Sequence, residues 1–136
     1  MAKIGVLGCG TIGMSLARML YNSGHDVLVW SAVPSEIEEC STTRKHHNLP
    51  GMEIPEGIRY TLDISEACKD KDVIMCAIPS VFIRQTIAKA RDFIPDGQII
   101  ADVGKGIEIR RRTSSGRNEE SYHICKTGLV FIFGQI

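Results

Sequence analysis

Hydrophobic positions along this chain come in two alternating textures. Compact apolar runs at Lys3 to Leu7, Asp26 to Trp30, Ile58 to Thr61, Asp72 to Ile78 and Gln98 to Val103 read as strands. Between them lie stretches with apolar residues three or four apart. Ile12, Leu16, Met19 and Leu20 predict a first helix closed by Gly24. Pro34 opens a short second helix with Glu36, Glu38 and Glu39 near its positive end. Asp63-Ile64-Ser65-Glu66 has capping-box spacing for a brief third helix reaching about Lys69, and Phe82, Ile83, Ile87 and Ala90 predict a fourth. The Pro- and Gly-containing stretch from Arg44 to Gly57 is a connecting loop. Continuous rather than alternating apolarity in the run before Pro79 suits a strand covered on both faces. The expected fold is therefore α/β, a Rossmann-type doubly wound parallel sheet.

The junction of the first strand and first helix carries Gly8-x-Gly10-x-x-Gly13. In that position the first glycine makes the turn, the second admits a phosphate to the backbone, and the third lets helix and strand pack closely. The helix then presents unpaired N–H groups and its positive dipole end to an anion. A strand before the motif and a helix and strand after it make it a dinucleotide-binding turn rather than an ordinary loop. Ligands of such sheets bind at the carboxyl ends of the strands, which gathers Gly8 to Gly13, Trp30 to Val33, Pro79 to Phe82 and Gly104-Lys105-Gly106.

Composition narrows the partners. A chain of 136 residues forms one domain of ordinary size, and its formal net charge of zero gives no global signal for nucleic acid or an acidic membrane surface. No apolar stretch is long enough to span a bilayer and the start runs straight into a strand, so the expected location is cytoplasmic. The five cysteines have no CxxC pair or regular spacing, which argues against a disulfide framework or a zinc site. Cys9, inside the glycine turn, reads as a small filler, and His46 and His47 read as solvated loop residues rather than metal ligands.

Four segments together carry a resemblance: the glycine motif, Leu49-Pro50-Gly51, Ala77-Ile78-Pro79-Ser80-Val81-Phe82, and Asp102-Val103-Gly104-Lys105-Gly106-Ile107-Glu108. Over about residues 3 to 108 the chain resembles the N-terminal domain of NAD(P)-dependent glycerol-3-phosphate dehydrogenase. The resemblance implies reduction of dihydroxyacetone phosphate to sn-glycerol 3-phosphate, and the reverse, in glycerophospholipid precursor synthesis. It implies cofactor contacts from Gly8, Gly10, Thr11, Ile12, Gly13, Ser31, Phe82 and Lys105, with Lys105 also touching substrate. The ammonium of Lys105 suits a phosphorylated carbonyl substrate. Thr11 can donate its hydroxyl to phosphate, whereas Ile12 offers packing only. No Asp or Glu closes the second strand at Trp30-Ser31-Ala32-Val33 to hold a ribose diol, which leans toward NADP over NAD, although no arginine stands in that turn either.

Beyond Glu108 the character changes. Residues 109 to 136 hold Arg110, Arg111, Arg112, Arg117 and Lys126 against Glu119 and Glu120, then the apolar run Gly128 to Phe133. The expectation is a tail from 109 to 136 that departs from the family after a binding domain at 1 to 108, as in a truncated or frameshifted copy. Its apolar run would be disordered, pair as an added edge strand or drive self-association, and three adjacent arginines without interleaved aromatics are not a nucleic-acid surface. The resemblance places the proton donor in a C-terminal helical domain, absent here, so no catalytic residue is expected within this chain and it should be nearly inactive alone. Two other readings compete. One is a free-standing dinucleotide-binding module without catalysis, and the other a related 3-hydroxy-acid or ketopantoate reductase, which would not share the Leu49-Pro50-Gly51 and Lys105-Gly106-Ile107-Glu108 pair.

Overall fold

The computed structural model describes residues 1–95, 97–103 and 129–133. Strands β1 (Lys3–Leu7), β2 (Asp26–Trp30), β3 (Arg59–Thr61), β4 (Val73–Cys76), β5 (Gln98–Asp102) and β6 (Leu129–Phe133) form one sheet in the order β3-β2-β1-β4-β5-β6. The first five run parallel, and the reversal of direction of travel between β1 and β4 is the switch point of a doubly wound sheet. β6 adds a sixth strand to the five parallel ones. It lies antiparallel along the β5 edge, pairing Gln98 with Phe133 at one end and Asp102 with Leu129 at the other.

Helices α1 (Thr11–Asn22), α2 (Pro34–Thr43), α3 (Ile64–Cys68) and α4 (Ser80–Ala90) connect the strands, and a 3-10 turn at Arg91–Phe93 ends the last. Alternation along each strand divides the core into two layers. On one face Ile4, Val6, Val27 and Val29 pack against Met14 and Ala17 of α1 and Cys40 of α2. On the other, Leu7, Trp30, Ile74 and Ile100 meet Ala67 and Cys68 of α3 and Ile83, Ile87 and Ala90 of α4. No described helix is long and apolar enough to cross a membrane.

Three local expectations need correction. The buried side of α1 is Gly13, Met14 and Ala17, not the stripe through Ile12 and Met19, which are exposed. The reason is Gly13: a Cβ there would collide with the Gly8 carbonyl, so the helix is pressed onto the turn along that side and its other faces rotate outward. Asp63 does cap α3, accepting from the Ser65 N–H at 2.9 Å, but Glu66 does not close a box. The Glu66 carboxylate accepts instead from the Thr61 hydroxyl at 2.7 Å, which ties α3 to the end of β3. Finally, His46 is buried at 4% exposure, whereas its neighbour His47 is exposed and meets Glu39.

Candidate functional site

A cavity of about 600 Å³ opens where β1, β2 and β4 end. Two backbone hydrogen bonds hold these ends in register: Gly8 N–H donates to Trp30 O at 2.8 Å and Ala77 N–H donates to Leu7 O at 2.9 Å. Gly8 turns the chain at φ +120°, a left-handed conformation that side chains disfavour, and its own Cβ would run into the Ala77 carbonyl. Gly10 is the opposite case. A Cβ there would meet no protein atom within 4 Å, although the residue lines the cavity. Internal packing therefore does not demand glycine at position 10, and its bare backbone leaves that side of the cavity open.

Gly10 caps α1 without a side chain, and the first turn of that helix contains no acid. Its unpaired amides and positive dipole end thus face the cavity with nothing nearby on the helix to oppose an anion. Thr11 and Ile12 line this mouth, with Ile12 37% exposed. Phe82, on the first turn of α4, stands 50% exposed at the same cavity rather than in the core. Two apolar side chains left open around a polar backbone cradle suit a ligand with both anionic and flat apolar parts.

Of the residues singled out from sequence, Gly8, Gly10, Thr11, Ile12, Ser31 and Phe82 all line this one cavity. Gly13 lies beneath the turn and serves its packing. Lys105 lies outside the described residues. The structure adds Glu36, Gln85, Thr86 and Lys89, none of which the sequence marked as lining. Glu36 was readable only as an acid at a helix start. Its position follows from Ser31, whose hydroxyl donates to Glu36 Oε2 at 2.7 Å.

His46 supports the turn from behind. Its Nδ1 accepts the Asn48 N–H at 3.1 Å, which assigns the hydrogen to Nε2, and that nitrogen donates to the Cys9 carbonyl at 3.2 Å. The Cys9 thiol sits 3.6 Å from the Cys40 sulfur, both buried. The hydrogen bond to Cys40 and then burial push the Cys9 thiol well above the usual range, so it stays protonated and inert. Cys9 is filler with a role in packing α2 under the turn.

The family model for the NAD-dependent glycerol-3-phosphate dehydrogenase N-terminus matches residues 3–132. Glycerol-3-phosphate dehydrogenase [NAD(P)+] 2 of Lactobacillus delbrueckii subsp. bulgaricus is 65% identical over 108 residues, 79% of this chain and 32% of that protein. Glycerol-3-phosphate dehydrogenase [NAD(P)+] of Agathobacter rectalis is 44% identical over 109 residues, again 79% of this chain and 32% of the relative. The chain thus spans about a third of the length of the curated relatives it matches. Among solved structures, glycerol-3-phosphate dehydrogenase of Coxiella burnetii superposes with a TM-score of 0.71 at 24% identity, covering 78% of this chain and 33% of that one. The structure of GPD1 from Saccharomyces cerevisiae gives 0.68 at 19% identity, over 79% and 35%. These superpositions establish the shared fold.

Proposed function

The chain belongs to the NAD-dependent glycerol-3-phosphate dehydrogenase family, matched at its N-terminal domain, and from that premise we propose that it is the cofactor-holding part of an NAD(P)-dependent sn-glycerol-3-phosphate dehydrogenase. The reaction is interconversion of dihydroxyacetone phosphate and glycerol 3-phosphate, a soluble step that supplies glycerophospholipid precursors in the cytoplasm. The observation that carries this reading is the cavity over the glycine turn, in which Gly10 is free of every internal packing demand.

The residues present fit the cofactor. Backbone amides at the start of α1 would hold the pyrophosphate, with the Thr11 hydroxyl as an added donor. Ile12 and Phe82 would cover the flat rings and keep water from them. Ser31 and Glu36 stand at the end of β2, where the adenosine ribose is read in folds of this kind. When bound, the nicotinamide supplies the hydride. Lys105 is assigned to the substrate, drawing in its phosphate and orienting its carbonyl. A polypeptide of these 136 residues alone should bind cofactor yet turn over orders of magnitude more slowly than its long relatives.

Calorimetric titration with NADH and NADPH, on the wild type and on Gly10→Val, tests this reading. Saturable binding that weakens at least about a hundredfold in the variant is expected, since a branched side chain would occupy the place of the pyrophosphate. Circular dichroism should show Gly10→Val as folded as the wild type, because its Cβ meets nothing. No binding of either cofactor to folded wild-type chain would overturn the assignment. The rival reading, a dinucleotide-binding module without catalysis, is favoured if binding is intact but adding the separately expressed remainder of a long relative restores no dihydroxyacetone phosphate reduction.

A further inference from the structure

The turn after β2, Ser31-Ala32-Val33, contains no acid. The tertiary structure brings one there from the next helix. Glu36 lies in the first turn of α2 and lines the cavity together with those three residues. Its Oε2 accepts the Ser31 hydroxyl at 2.7 Å, and the same hydroxyl oxygen accepts the Val33 N–H at 3.0 Å. Ser31 is only 3% exposed, so a buried group tethers the carboxylate to the strand end. Helix α2 runs ten residues from Pro34, and its positive end stabilises the charge in place.

We propose that Glu36 is the residue by which this chain prefers NAD to NADP. Resting on the dinucleotide reading of the cavity, the inference assigns Glu36 Oε1 as acceptor for a ribose hydroxyl of NAD. A 2′-phosphate in that place would bring about two further negative charges against a fixed carboxylate. The other charged residue among the described lining is Lys89, late in α4. Helices α2 and α4 pack on opposite faces of the sheet, and no described ion pair joins Lys89 to Glu36. Among the described residues, therefore, no cation pairs with the Glu36 carboxylate at the strand end. The lean toward NADP from an acid-free turn is reversed by an acid six residues beyond β2 that the turn folds back.

The test is equilibrium binding of NADH and NADPH, followed by quenching of Trp30, the single tryptophan, which lines the cavity. The wild type is expected to bind NADH at least about tenfold more tightly than NADPH, and Glu36→Gln, which keeps the shape and loses the charge, should erase that ratio mainly by tightening NADPH. Ser31→Ala, which frees the carboxylate but leaves its charge, should weaken NADH a few-fold while retaining the preference. Equal or tighter NADPH binding by the wild type overturns the role given to Glu36, and so does an unchanged ratio in Glu36→Gln. Loss of NADPH binding alone in Lys89→Gln would also overturn it, by giving the 2′-phosphate to Lys89. Failure of the wild type to bind either cofactor speaks instead against the dinucleotide site.

Discussion

At the scale of single residues, buried thiols set a limit on stability at high pH. Burial raises Cys76 to about 12, with the Asp102 charge adding to the effect, and burial raises Cys68 to about 11. In the unfolded chain both would ionise near the ordinary thiol value of 9.0. A folded-state pKa raised in this way contributes stability that is complete below the unfolded value and is lost as pH climbs toward the folded one. Urea melts should accordingly show constant stability up to about pH 9 and a fall between there and about pH 12. Cys76→Ser would retain a neutral polar atom and flatten that fall. A wild-type profile with no alkaline slope would contradict the burial of these groups.

At the scale of elements, α1 separates a pattern from a packed face. Apolar spacing places Met19 in a stripe with Ile12 and Leu16, yet Met14 is fully buried and Met19 is 55% exposed. Met14→Ala should therefore cost about 2–5 kcal/mol by leaving a cavity, against about 0.5 kcal/mol or less for Met19→Ala. Denaturant midpoints of the two variants measure this directly, and equal losses would mean that the helix is rotated from the orientation described. The glycine turn was readable as an element because three glycines at fixed spacing leave few alternatives. The burial of His46 was not readable. Its loop has no periodicity, and its two partners, Cys9 O and Asn48 N–H, include one 37 residues away in sequence.

For the whole molecule, the outer edge of the sheet is the sensitive place. β5 carries unpaired backbone on one side unless β6 covers it, and Ile99 on β5 is 40% exposed. Ending the chain before Leu129 should leave an open, apolar edge strand and produce concentration-dependent association. Sedimentation velocity of the shortened chain beside the full one reads the effect. A shortened chain that stays monomeric at high concentration would show that β6 protects nothing.

The order of elements, the parallel doubly wound class and six of the cavity-lining positions followed from sequence alone. Each depends on local rules: strand and helix periodicity, the conformational freedom of glycine, and the placement of loops at the carboxyl ends of parallel strands. Tertiary structure decided which side of α1 is buried, the antiparallel run of β6, the support His46 gives to the turn, and the arrival of Glu36 beside Ser31. These depend on contacts between segments whose meeting no local period encodes. A hydrogen bond from a strand end to a carboxylate one helical turn into the next element exists only after the chain has folded back on itself.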